Sequence, residues 1–237
     1  MTGHGGELAL AAIKAFGVDE LFTLSGGHVF PLYDAALSQD VRIVDVRHEQ
    51  TATFAAEGMA KLTRRPGLAV LTAGPGVTNG VSAVTTAHFN GSPLVVLGGR
   101  APQARWGAGS LQEFDHVPVM APITKRSATV TSVAGAGLDC HDATALALTS
   151  HRGPVFLDIP LDVIFSDGTG EVPDAGPLPV IEPDPEEVAR AAELLARAER
   201  PAIIAGSDVY WDGAWGELQA AVEALRVPTF VNGLGRG

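Results

Sequence analysis

The chain carries a single cysteine, Cys140, and that scarcity excludes two classes of structure. Neither a disulfide framework nor a multi-thiolate zinc site can be built within it. A lone cysteine is ordinarily a small buried apolar residue. Basic residues are also few: 16 Lys+Arg stand against 27 Asp+Glu, for a formal net charge of -11. They do not cluster, which argues against a nucleic acid partner. Many of the acids fall between Asp158 and Glu193, where a solvated linker would account for much of the imbalance. No apolar run approaches the roughly 20 residues that span a bilayer. The opening MTGHGGELALAAIKAFG has an acid at Glu7 and no basic leader, so it does not read as a signal peptide. These absences point to a cytoplasmic protein. What is present, 46% hydrophobic and 18% charged residues, suits a globular fold with a real core.

Several catalytic signatures are missing too. The run from Gly74 to Gly80 lacks the glycine spacing of the dinucleotide fingerprint, and Pro75 removes an amide that a phosphate would use. No Gly-Lys-Ser/Thr follows it, which excludes a P-loop. His48-Glu49 has no second histidine at metalloprotease spacing, and no Gly-x-Ser-x-Gly elbow occurs. Internal repeats and low-complexity tracts are absent.

The patterns that remain alternate between strand and helix. Strands are predicted over 19–24, 41–46, 68–72, 94–97 and 154–159; helices over 7–16, 30–37, 51–62, 77–88 and 134–149. Such alternation predicts an α/β fold, a mostly parallel doubly wound sheet with flanking helices. The stretch 98–125 is irregular and holds Pro102, Pro118 and Pro122; long ordered loops are commonly functional. We divide the chain into a first domain over 1–165, a Pro-, Gly- and acid-rich linker over 166–184, and the start of a second, Rossmann-like α/β domain over 185–237.

The strand ends carry the chemistry. Val41 to Val46 reads as a buried strand, and Arg47-His48-Glu49-Gln50 follows at its end, just before a helix. Ligands of open α/β sheets bind outside the carboxyl ends of the strands. Glu49 thus stands where ligands go, beside apolar neighbours that would raise its pKa. It also reads as a helix-start acid favoured by the dipole. Three more ends are glycine-rich: Ser25-Gly26-Gly27-His28, Ala73-Gly74-Pro75-Gly76 and Gly98-Gly99-Arg100. All four should open on one edge, where glycine lets backbone approach a ligand.

The segments LSGGHVFPLYD, RHEQTATFAAEGMAK, LTAGPGVTNG, SPLVVLGG and SLQEFDHV with the later Thr124-Lys125 together resemble the thiamine-diphosphate enzymes of the acetolactate synthase superfamily. The resemblance runs in order over about residues 5 to 165. It implies that the first domain binds the aminopyrimidine end of thiamine diphosphate. Glu49 matches the glutamate that hydrogen-bonds the pyrimidine N1′ and promotes proton loss at thiazolium C2, the cofactor then serving as electron sink. Gly74 and Pro75 match the loop packed on the pyrimidine, with Asn79 a polar contact one turn on. Gly26, Gly27 and His28 match the loop facing the reactive end. Gln112 matches a glutamine pointing into the site, and Lys125 a lysine near the substrate entrance. His28, Leu111 and Arg100 depart from the usual acetolactate synthase residues. His28 precedes a helix start, whose dipole would keep the imidazole neutral; it also reads as a solvent-facing helix residue.

The resemblance further implies a carboligase acting on 2-keto acids such as pyruvate. A 2-hydroxyacyl-CoA lyase releasing formyl-CoA is the alternative, favoured by Gln112-Glu113-Phe114 and His28. A non-catalytic dimerising fragment is a reading from another class. The family's Gly-Asp-Gly…Asn motif for diphosphate and Mg2+ is not found here, so no metal ligand is assigned and the chain alone supplies half a site. The expected assembly is a homodimer or homotetramer with the active site between subunits, and FAD or ADP in the central domain.

Overall fold

The computed structural model describes residues 1–177 and 181–235, in two compact units spanning 1–178 and 179–237. The first unit opens with β1 (Thr2–His4) and α1 (Gly5–Lys14). There follow β2 (Glu20–Thr23), α2 (Phe30–Ser38), β3 (Arg42–Asp45), α3 (Glu49–Thr63), β4 (Gly67–Leu71), α4 (Pro75–Asn90) and β5 (Leu94–Arg100). An irregular stretch leads to the one-turn helix α5 (Val117–Met120). Then come β6 (Ser127–Thr129), α6 (Val133–Leu148), β7 (Val155–Pro160), α7 (Leu161–Ile164) and β8 (Asp167–Thr169).

Six strands form one parallel sheet in the order β3-β2-β4-β5-β7-β6. Side chains alternate across it with the period of two that a pleated strand imposes. Leu68, Val70, Val95, Leu97, Val155 and Leu157 join one core cluster, shared with α1, α2 and α6. Ala69, Leu71, Leu94, Val96 and Phe156 join the other, under α3 and α4. Burial on both faces explains why the central strands read as unbroken apolar runs. Each fully buried Leu or Phe here contributes about 1.5–3 kcal/mol.

Chain order positions the site. From β2 the chain crosses to β3 on one side; β4 then enters on the other side of β2. Helices α2 and α4 therefore lie on opposite faces, and the loops after β2 and β4 diverge. That topological switch point opens a crevice at the carboxyl edge.

Four expectations change. First, β3 is the edge strand of its sheet, and the residues Arg42–Asp45 are half-buried or exposed rather than buried. Second, Gly98-Gly99-Arg100 continue β5, paired with Asp158, Ile159 and Pro160, and are not a loop. A Cβ on Gly99 would stand 2.4 Å from the His28 Cβ, so this glycine makes room for a protein side chain. Third, the predicted linker begins inside the fold: β8 pairs antiparallel with β1. Linker residues 178–180, and 236–237 of the predicted second domain, lie outside the described residues. Fourth, Asp158 is a wholly buried residue of β7, not a solvated acid.

The second unit holds α8 (Pro185–Arg197), β9 (Ile203–Ala205), α9 (Ser207–Asp212), α10 (Trp215–Leu225) and β10 (Thr229–Val231), with β9 and β10 parallel. Asp184 caps α8, and Glu186 and Glu187 favour its first turn. Neither α8 nor α10 buries a residue.

Candidate active site

Glu49 is the first residue of α3, with His48 as its N-cap; the His48 ring accepts from the Gln50 amide at 3.1 Å. The residue is buried, and its Oε2 accepts from Asn79 Nδ2 at 2.9 Å. Asn79 stands one turn into α4 and is itself exposed. The other oxygen, Oε1, accepts from no side chain or amide among the described residues. It lies 3.8 Å from where a Cβ on Gly76 would stand, a position that the Thr72 methyl crowds at 2.6 Å.

Gly74 turns the chain from β4 into α4 at φ 58, ψ -117, the backbone of a type II′ turn. Any other residue would be strained there, and its Cβ would also press on Gln112 at 3.1 Å. Gly74 and Gln112 therefore touch. Gln112 itself has φ 56, rare for a residue other than glycine. Backbone held in such regions concentrates at ligand-handling loops.

A cavity of about 700 Å³ opens at the switch point, within the usual range for small-molecule sites. The turn after β2 contributes Gly26, Gly27 and His28, the residue just past β4 is Thr72, and the long loop contributes Arg105 and Gln112. Glu49, Gly74, Pro75 and Asn79 lie outside its lining, on the adjoining wall. Thr72 joins the two: its side chain fills the space beside both Gly26 and Gly76.

His28 is buried, not solvent-facing. Its Nε2 lies 3.2 Å from the Leu111 carbonyl, which can only accept, so Nε2 carries the proton. Nδ1 then faces the Thr72 hydroxyl at 3.5 Å. Burial is the largest influence on this ring and lowers its pKa below the ordinary 6.5; the Leu111 carbonyl opposes the shift and nearby His116 adds to it. The imidazole is thus neutral for a different reason from the helix dipole.

Lys125 lies elsewhere. Its Nζ donates to the Leu146 and Thr149 carbonyls at the end of α6, both at 2.6 Å. Its backbone amide donates to Pro154, just before β7 begins. It caps a helix at the amino edge of the sheet, opposite the cavity. Cys140 is buried, and burial pushes its thiol up to about 12, so it is no nucleophile. Among the described residues no cluster of ligating side chains could hold a metal ion.

Sequence reasoning missed Thr72, Arg105, His116 and Asp158. His116 and Arg105 lie in the long proline-marked loop, where the sequence points to Leu111 and Gln112 but to neither of these. Arg100 is the anchor of that loop: it pairs with Asp158 at 2.7 Å and with Asp115 at 3.2 Å, and stacks 3.9 Å from the Trp106 ring centroid.

The chain matches two family models: residues 3–119 the N-terminal TPP binding domain of the thiamine pyrophosphate enzymes, and residues 188–237 their central domain. It is 48% identical over 244 residues to the acetolactate synthase large subunit IlvG of Mycobacterium tuberculosis, covering 100% of this chain and 44% of that protein. A probable acetolactate synthase of Mycobacterium bovis matches equally, at 48% over 244 residues with the same coverage. A 2-hydroxyacyl-CoA lyase 2 of Bos taurus is 37% identical over 273 residues, covering 100% of this chain and 43% of that protein. The chain therefore spans less than half the length of these curated relatives.

Proposed function

The chain belongs to the thiamine pyrophosphate enzymes, and from that premise we propose that its first unit forms the pyrimidine-binding half of a thiamine-diphosphate site. The enzyme it serves makes or breaks a carbon–carbon bond next to a carbonyl. Its leading reaction is carboligation of 2-keto acids such as pyruvate. The observation that carries this reading is Glu49, at a switch-point edge, with one carboxyl oxygen held by Asn79 and the other left for a ligand. The residues fit the cofactor. Oε1 has the chemistry to share a proton with a ring nitrogen, and Asn79 occupies only the other oxygen. Gly74 and Pro75 would pack on the ring.

Thiamine diphosphate, when bound, supplies a carbon nucleophile and an electron sink. This chain's residues do the rest. Glu49 holds and returns a proton at Oε1, a general acid–base role. Asn79 fixes the rotation of that carboxyl group. The cavity beside His28 receives the substrate, and Arg105, the one Lys or Arg in its lining among the described residues, would pair with the carboxylate of a keto acid. The diphosphate and Mg2+ fall to residues outside this chain, contributed across an interface in a homo-oligomer.

A second reading, a 2-hydroxyacyl-CoA lyase, is favoured by His28. A buried neutral imidazole beside the cavity could take a proton from a substrate hydroxyl at Nδ1, its unprotonated nitrogen, in place of the long Thr72 contact. The deciding experiment offers the complete enzyme, with thiamine diphosphate and Mg2+, pyruvate and then a 2-hydroxyacyl-CoA, with products followed by mass spectrometry. Acetolactate supports the carboligase. An aldehyde or ketone with formyl-CoA moves the assignment to the lyase. Titration calorimetry on the 237-residue chain should show no tight cofactor binding; tight binding would overturn the half-site.

A further inference from the structure

Behind the Gly74 turn lies a buried polar chain that the proposed chemistry does not use. The Gly74 amide donates to His116 Nε2 at 2.8 Å. His116 Nδ1 lies 3.0 Å from Asp158 Oδ2, and Arg100 Nη1 lies 2.7 Å from the same oxygen. Both the His116 and Asp158 side chains are 0% exposed. Phe114 and Phe156 present ring edges to the imidazole. Asp158 Oδ1 has no hydrogen-bond partner among the described residues.

The chemistry fixes the direction of this chain. A backbone amide can only donate, so Nε2 must offer its lone pair. The ring proton then sits on Nδ1 and is donated to the Asp158 carboxylate, whose charge Arg100 balances. His116 is thereby held as one neutral tautomer with its acceptor aimed at Gly74. A buried ionic group with such directional bonds is expensive unless it orders something. Here it orders a single amide in the type II′ turn that opens α4. The turn lies between Gln112, which stands against Gly74, and the Thr72 and Glu49 side chains, which flank Gly76.

We infer that Asp158 and His116 are positioning residues: they lock the Gly74 amide, and through it hold the 74–76 turn against which the cofactor's ring packs. The functional arm rests on the thiamine-diphosphate reading; the structural arm does not.

Two variants separate this role from core filling. His116→Asn keeps a donor at the δ position for Asp158 but has no atom that reaches Gly74. His116→Gln places an acceptor near the ε position. In the cofactor-free protein, the Gly74 amide should exchange with deuterium roughly tenfold faster in the Asn variant and within about threefold of wild type in the Gln variant, the effect of leaving one buried donor unpaired. In wild type, 15N spectra of the imidazole should show a protonated Nδ1 and a bare Nε2. In the complete enzyme, the Kd for thiamine diphosphate should rise about tenfold for Asn and hold for Gln. Equal exchange in the two variants, or a proton on Nε2, would overturn the lock. Normal cofactor affinity in the Asn variant despite fast exchange would overturn its functional consequence. If wild type binds no thiamine diphosphate, the site reading fails while the exchange and tautomer data still decide the lock.

Discussion

The crevice has two walls, built in different ways. One is made by the first turns of α3 and α4, carrying Glu49, Gly74–Gly76 and Asn79. Its polar groups are short side chains at helix starts, held by the sheet and by one direct hydrogen bond. The other is made by the turn after β2 and the irregular loop of residues 101–116, carrying Gly26–His28, Arg105 and Gln112. Here a cavity opens, much of the lining is exposed, and the loop is anchored from behind by Arg100. Sites on rigid elements hold geometry more closely than sites on loops. The comparison assigns proton handling to the helix wall and choice of substrate to the loop wall.

Glu49→Gln should break the helix wall most severely. A carboxamide keeps the shape but cannot carry the proton. Proton exchange at the cofactor's C2 in the complete enzyme should fall about 10²–10⁴-fold, the usual worth of a positioned acid–base group. The fold should be unchanged by circular dichroism. Unchanged exchange would remove Glu49 from the chemistry and with it the division between the walls.

Arg105→Gln tests the loop wall. The KM for pyruvate should rise about tenfold, the loss of one charge-assisted contact, with C2 exchange unaltered. A comparable fall in C2 exchange would show that the walls do not act separately. Asn79→Ala should cost less. Losing one neutral-to-carboxylate hydrogen bond at a half-buried site is worth about 1 kcal/mol, so kcat should drop roughly fivefold. The effect belongs in kcat because Asn79 orients Glu49; a change confined to KM would make it a plain cofactor contact instead.

Glu49 was legible from its strand end, and Gly26–His28 and Gln112 through the family resemblance, but what holds the loop wall in place was not, for a physical reason. Parallel α/β topology sends every strand end to one edge, so Glu49 could be placed from a local pattern alone. Asn79, one helical turn beyond Pro75, came only with the family resemblance. The loop wall depends on pairings between residues distant in sequence: His116 with Asp158, His28 with Leu111, Arg100 with both Asp158 and Trp106. No periodicity announces these. Asp158 illustrates the loss, since an acid near the edge of a charged stretch reads as solvated until its strand is seen to lie inside the sheet. Lys125 fails in the opposite sense. Its place in a motif suggested the entrance, whereas its neighbour in space is the carbonyl end of α6. Likewise Gly98 and Gly99 signal close approach correctly, but what approaches is Phe156 and His28.

The smallest effect expected concerns the pH dependence of stability, and it bears on how His28 sits in the loop wall. Its pKa is lowered in the folded chain, chiefly by burial. In the unfolded chain it returns to about 6.5. Between those two values the unfolded chain binds the extra proton and the folded chain does not, so stability rises with pH across that window. The contribution is complete above about 6.5 and is lost as pH falls toward the lower folded value. Thermal melts of the 237-residue chain between pH 7 and 5 should therefore fall less steeply for His28→Gln than for wild type. Gln keeps a donor for the Leu111 carbonyl, so the comparison isolates titration from packing. Parallel profiles would mean that the ring charges freely in the folded protein, through water entering the cavity. The loop wall would then be looser than the Leu111 bond suggests, and a neutral imidazole could no longer be counted among its tools for handling substrate.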